Sequence, residues 1–146
     1  MIINYKKENI DGCKYKFRLG ELFRHTKIDV VDVSMDKLPE LVPIELPYII
    51  KPGEFVIGRT IEEFDTPLDL MSIYAASSLS IRIGLNILCG GINDPGYKGK
   101  AILGIQNISP NKIKLFSGMN LMHTAFINLN GKAIPIQTKY IGGKIL

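Results

Sequence analysis

Residues 77–99 read SSLSIRIGLNILCGGINDPGYKG and gather the side chains with the greatest chemical reach. Ser77 and Ser78 offer adjacent hydroxyls, and Arg82 offers a cation that does not titrate, in a fork matched to phosphate oxygens. Gly90, Gly91 and Gly96 let backbone N–H groups come close to a ligand. Asp94 can position or deprotonate a water, and Tyr97 can stack on a ring. These are parts for holding a phosphorylated, ring-bearing ligand. The same residues also read as two strands joined by polar turns, because Asp-Pro-Gly before an aromatic is an ordinary turn signal.

The elements that must position these groups are bounded by length and composition. The chain has 146 residues, which predicts one domain over 1–146 with a real core. Nearly half the residues are apolar, but no run approaches a membrane span, and the N-terminus lacks a signal peptide's apolar stretch. Cys13 and Cys89 form no disulfide framework or metal-ligand spacing, which predicts a reducing, cytoplasmic setting. His25 and His123 have no second His or Cys at metal spacing. The net charge of +4 is dispersed, without a basic block or an aromatic-arginine platform. That pattern argues against nucleic acid as a partner and suits a solvated surface or a polyanionic small ligand.

No long stretch carries a helical period. Strands are expected over 15–24, ending in a turn at Gly20, and over 27–35, where VVDVSM alternates. Pro39, Pro43 and Pro47 make 36–47 an extended or edge segment. Residues 48–60 read as a hairpin about Pro52-Gly53, and 62–70 as a loop leading into the strand MSIYAA. A turn or two of helix over 77–83 would put Ser78 and Arg82 on one face. Further strands are expected over 100–107, 113–116 and 121–129, with a tight turn at Asn130-Gly131. Many short strands with regular turns predict an all-β barrel or sandwich.

Several motifs in order resemble the dCTP deaminase branch of the dUTPase-like superfamily. They are RLGELFR at 18–24, KPGEFVIGRTIEEFDTPLDL at 51–70, SLSIRIGL at 78–85, GGINDPGYKGKAILGIQN at 90–107 and SGMNLMHTAF at 117–126. The resemblance covers roughly 14–141 and implies a distorted β-barrel or jelly roll. It also implies a homotrimer whose nucleotide sites lie between subunits. Counting forward from Pro67, the family's phosphate-facing serine falls on Ser78 and its arginine on Arg82. Counting back from Asp94, the serine falls on Ser77 and the arginine position holds Ile81. The Ser78 register is preferred, and in either register the motif's leading arginine is missing.

The resemblance also exposes losses. Gly91, Asp94, Tyr97 and Gly99 match the third motif, with Asn93 in place of isoleucine. The deaminase glutamate, ten residues past the aspartate, is Gly104, which cannot shuttle a proton. Lys16 stands where the first motif has aspartate, and His123 where the fourth has glutamine. The C-terminal arm reads as shortened to KYIGGKIL. These losses imply a binding protein without the chemistry, a sponge or sensor of a nucleotide or nucleotide-derived signal of the kind a phage would encode. Its ligand-binding residues would be Lys16, Ser77, Ser78, Arg82, Gly91, Asp94, Tyr97 and His123. The alternatives are a dUTP diphosphatase, with Asp94 as its base and Mg2+ on the phosphates, and a dCTP deaminase. No cofactor is otherwise implied.

Overall fold

The expected alternation of apolar and polar residues becomes strand in most of the predicted places. The computed structural model describes residues 1–35, 37–135 and 142. In chain order the first strands are β1 (Ile2–Ile3), β2 (Ile10–Asp11), β3 (Lys14–His25), β4 (Leu41–Ile44) and β5 (Tyr48–Ile50). They are followed by β6 (Phe55–Asp65), β7 (Leu70–Ala76) and the single-turn-and-a-half helix α1 (Ser78–Ile83). The chain then forms β8 (Leu85–Leu88), β9 (Ile92–Asn93), β10 (Lys98–Asn107), β11 (Ile113–Leu115) and β12 (Asn120–Asn128).

The main sheet runs β8-β10-β6-β3-β12-β7-β9, and β5 with β11 forms a separate pair. β3 is its corner. Residues 14–18 of β3 pair with β12, and residues 19–25 pair with β6 and β4. Register breaks fall at Leu19/Glu21, Lys100/Ile102 and Asn120/Met122. Such bulges bend and over-twist the strands they interrupt, which curls the sheet into a barrel-like wall around one core. Phe17, Leu19, Phe64, Leu103, Ile105 and Met122 fill that core. Removing their apolar surface from water is the main stabilising term.

Side chains satisfy the backbone groups that the bulges release. The fully buried Glu62 accepts the Arg18 backbone N–H at 3.0 Å, the Arg18 guanidinium Nε at 2.7 Å and the Tyr15 hydroxyl at 3.0 Å. Arg18 also donates to the Asn4 carbonyl at 2.8 Å, and Tyr15 accepts the Lys6 N–H at 2.9 Å. The network thereby ties the N-terminal segment to the barrel corner. At the β6–β10 bulge, the Ala101 N–H donates to the Thr60 hydroxyl at 3.0 Å. A buried donor left without such a partner would cost about 1–3 kcal/mol.

Four local expectations differ. Gly20 does not end a strand, because β3 runs through it; the Cβ it lacks would lie 3.0 Å from the Ile61 backbone nitrogen, so glycine admits β6 at the corner. The stretch 27–35 is not a strand. Asp32 accepts the N–H groups of Ser34 and Met35 at 3.0 and 3.3 Å, and this local capping closes a 3-10 turn over Val33–Met35. The Pro52-Gly53 turn does not make a hairpin: β5 pairs with β11, whereas β6 pairs with β10 and β3. β6 also persists to Asp65, so the first part of the expected loop at 62–70 is strand. The edge-strand reading of the proline-rich segment holds at β4, which contains Pro43 and pairs with β3. Asn130-Gly131 lies in an irregular turn, and the C-terminal arm lies outside the described residues except for Gly142.

Candidate functional site

The first group of candidate residues sits where β7 turns into α1. Ser77 is the helix N-cap: its Oγ accepts the Ser80 N–H at 3.1 Å and lies 3.2 Å from the Asn120 carbonyl, to which it donates. Its backbone N–H is bonded to the Leu121 carbonyl at 2.9 Å. The Ser77 hydroxyl is thus engaged in shaping the helix start. Ser78 is exposed at the first helical position, and Arg82 is exposed four residues on, in the last turn. The i,i+4 spacing puts both on one face, as the sequence predicted. Arg82 also sits where a cation favours the helix dipole.

The second group is the turn between β9 and β10. Gly91, at φ +76°, uses its carbonyl to accept the Tyr74 N–H at 2.8 Å. Asn93 is buried and donates to the Thr66 hydroxyl at 2.9 Å. Asn93 thereby bolts the turn to the preceding loop. Thr66 further holds the turn through the Gly96 N–H and the Tyr97 carbonyl, both at 3.0 Å. Asp94 is left exposed on this braced turn. Tyr97 is half-buried, edge-on to Phe64 at 6.3 Å, and its hydroxyl donates to the Lys100 carbonyl at 2.8 Å. Beneath them, burial together with the nearby Tyr97, Cys89 and Asp94 pushes the Tyr74 phenol far above its ordinary range.

The third group lies across β3 and β12, where Lys16 and His123 face each other in register. Asp11, from β2, reaches the Lys16 Nζ at 2.9 Å and lies 4.0 Å from the Lys14 Nζ. The hydrogen bond from Lys16 holds the Asp11 carboxyl below the usual carboxylate range. Partial burial, followed by the charges of Lys14 and Lys16, pushes the His123 imidazolium below its ordinary value, with Asp11 working against it. Lys16 is therefore paired with a carboxylate from a neighbouring strand.

Within one chain these groups stay apart. Asn93 pairs with Ser72 on β7, which puts Asp94 level with Met71 and six residues along that strand from Ser77. At a strand rise of about 3.4 Å per residue this is a separation of roughly 20 Å. His123 is nearer the helix, since it pairs with Ala75, two residues before Ser77.

Two further positions bear on the chemistry: Gly104, which the motif comparison singled out, and Glu62. Gly104 pairs with Leu88 on β8 and Ile57 on β6. A Cβ there would lie 2.8 Å from the Phe55 ring and 3.1 Å from the Leu88 Cβ. Phe55 in turn stacks on His25 at 5.8 Å. A side chain at 104 would thus begin against the edge of this ring, which is 36% exposed, and would need it to shift. The second position is Glu62, whose carboxylate is committed to Arg18 and Tyr15 and so does not stand in for an acid at 104. The spacing of apolar residues marked neither one, because both depend on cross-strand register.

The fold is that of dUTPase-like proteins, a distorted, curled β-barrel. A family profile described as dCTP deaminase-like matches residues 1–129. The chain belongs to the dCTP deaminase-like family. It is 31% identical over 151 residues to a protein of Dictyoglomus thermophilum named "dCTP deaminase, dUMP-forming", covering 97% of this chain and 78% of that one. Among solved structures, the 2'-deoxycytidine 5'-triphosphate deaminase from Agrobacterium tumefaciens superposes with a TM-score of 0.68 at 15% identity, over 85% of this chain and 42% of that one. The dUTPase of Staphylococcus bacteriophage 80alpha gives 0.56 at 13% identity, over 95% of each chain.

Proposed function

We propose that this protein binds a nucleotide or nucleotide-derived signal in the family site without deaminating it, as a sponge or sensor. The carrying observation is Gly104 under the Phe55 ring. Deamination of a cytosine ring needs a group that moves protons at the reacting carbon, and removing such a positioned acid or base costs a factor of about 100 to 10,000. Here the position carries no side chain and its space is apolar.

The groups that bind remain. Ser78 donates its free hydroxyl to a phosphate oxygen, and Arg82 clamps the phosphates with its fork. Gly91 and Tyr97 shape the turn that faces the ring, and Asp94 orients a sugar hydroxyl or a water. His123, with its imidazolium disfavoured, offers a neutral ring beside Lys16. Ser77 shapes the helix that presents Ser78.

The ligand site is formed between subunits of a homotrimer. The roughly 20 Å between Asp94 and the start of α1 in one chain supports this. Support also comes from Ile73, Ile92 and Ile127 on the outer side of β7, β9 and β12, which are 44%, 56% and 42% exposed. A face of this kind is expected to be covered. The setting is cytoplasmic, and no helix among the described residues is long and apolar enough to cross a membrane.

A second reading, dUTP diphosphatase, draws on Asp94, which is exposed on a turn held by Thr66 and Asn93 and could activate a water. No cluster of three or more His, Cys, Asp or Glu suited to a metal occurs among the described residues. In that reading Mg2+ would come with the phosphates.

The experiment is incubation with dUTP and, separately, dCTP plus Mg2+, following products by chromatography and melting temperature in parallel. Binding without turnover raises the melting temperature with no product. Release of dUMP and pyrophosphate from dUTP would establish the diphosphatase, and dUTP or dUMP formed from dCTP would restore the deaminase.

A further inference from the structure

A groove of about 770 Å³ runs between α1 and residues 109–116. Leu79, Ile81 and Phe116 line it and are 47%, 70% and 48% exposed. Arg82, Lys112 and Lys114 stand along the same groove, and no Asp or Glu lines it. The groove is therefore apolar in its walls and cationic in its charge.

One wall is a strand edge. β11 is bonded to β5 on one side and to no strand on the other among the described residues. Ile113 and Lys114, successive residues of β11, both border the groove, with Lys112 just before them, while Leu115 is buried. Successive residues of a strand point to opposite faces. A groove bordered by both runs along the edge of β11 rather than over one face. This wall is also preorganised. The buried Asn107 side chain donates to the carbonyls of Ile50 and Asn111 at 3.1 and 2.7 Å and accepts the Ser109 N–H at 3.0 Å. It thereby holds the turn that precedes β11.

We propose that this groove docks an extended acidic segment of a partner protein, added as a strand to the free edge of β11. Backbone N–H and C=O groups of the segment pair with the edge. Alternate apolar side chains pack on Ile81 and Phe116, and the carboxylates between them face Arg82, Lys112 and Lys114. Charge complementarity selects the occupant. A second copy pairing through its own β11 would bring Lys112 and Lys114 against the same lysines, which like-charge opposition disfavours. A single phenylalanine is a poor platform for nucleic-acid bases. A concave apolar surface does not enter a bilayer as a protruding one does. The proposal shares only Arg82 with the nucleotide reading and does not rest on it.

The test is fluorescence anisotropy of the full chain with a labelled ten-residue peptide that alternates glutamate and valine. Lys112→Glu combined with Lys114→Glu is expected to weaken binding at least tenfold, with the melting temperature unchanged. Should that pair unfold the protein, Lys112→Ala with Lys114→Ala is expected to weaken binding about threefold or more. Peptides N-methylated on alternate residues separate strand addition from side-chain contact. One phase of methylation should bind at least tenfold more weakly, and the other should bind like the parent. The proposal is overturned by no binding, by equal binding to the variants, or by both methylated phases binding like the parent. It is also overturned if phosphatidylglycerol vesicles or oligo(dT) bind more tightly than the peptide and lose binding in the same variants. A smaller subunit count for the lysine variants by light scattering would assign the groove to a second copy and overturn it too.

Discussion

The Cβ that Gly104 lacks would sit 2.8 Å from the ring of Phe55, closer than a carbon tolerates. A side chain at 104 would therefore meet this ring, which is itself 36% exposed, and would need it to shift.

Placing an acid at 104 should displace that ring. Gly104→Glu is expected to cost about 1 kcal/mol as the 36%-exposed Phe55 ring is pushed off its place on His25. Urea denaturation measures the loss. Combining it with Phe55→Ala should recover part of the stability. A single Gly104→Glu variant that keeps full stability would show that the ring moves aside freely.

Ser77 and Ser78 should separate cleanly. Ser77→Ala removes the N-cap and is expected to lower stability by about 1 kcal/mol. Ser78→Ala should leave stability within about 0.5 kcal/mol, as surface substitutions generally do, and should weaken ligand binding instead. The reverse pattern, in paired melting and calorimetry experiments, would return the ligand-facing role to Ser77.

Arg82→Ala is expected to weaken binding of dUTP or dCTP by about 1.5–3 kcal/mol, the range for a hydrogen bond to a charged group. Calorimetry at fixed salt measures it. Unchanged affinity would remove Arg82 from the phosphate site.

The fully buried Glu62 carboxylate and the partly buried Arg18 guanidinium are 2.7 Å apart and depend on each other. Glu62→Leu should destabilise by about 1–3 kcal/mol, because it leaves the Arg18 N–H, the Arg18 Nε and the Tyr15 hydroxyl without their acceptor. Arg18→Met added to Glu62→Leu should regain part of that loss. Denaturation midpoints for the three variants and the parent form the required cycle.

His123 makes stability depend on pH in a defined direction. Its imidazolium is disfavoured in the folded protein, first by burial and then by Lys14 and Lys16. The unfolded chain therefore binds more protons over a window that ends near the ordinary histidine value of about 6.5. Stability from this group is fully present above that value and is lost as pH falls through the lowered folded value. His123→Gln should flatten the melting-temperature profile across this acidic window relative to the parent. An equal slope in both proteins would assign the dependence elsewhere.

Much of the architecture was open to reading from the chain alone. Alternation over β6, β7, β10 and β12, together with turn residues between them, is a local property, and it specified an all-β chain. The helix that carries Ser78 and Arg82 and the Asp94 turn are also local. Each is set by residues a few positions apart, so their types and spacing sufficed to place them, whereas the role of Ser77 as the helix cap emerged only in the structure. The ordered motifs did the same for family membership, because the order of short segments is a one-dimensional property.

Only the tertiary structure decided what depends on which strands lie side by side. The run VVDVSM has strand alternation but among the described residues makes only an isolated bridge from Asp32 to Lys37, and the Asp32 carboxylate capped it as a turn instead. Gly20 looked like a stop because glycine breaks alternation, but at the corner its role is to let β6 approach. Lys16 acquired Asp11, Glu62 acquired Arg18, and Gly104 acquired the Phe55 ring, in each case from another strand. Register assigns these partners, and a shift of one residue would turn every side chain to the other face. A sequence carries the alternation of each strand, but the pairing that converts alternation into particular contacts arises only when the sheet has assembled.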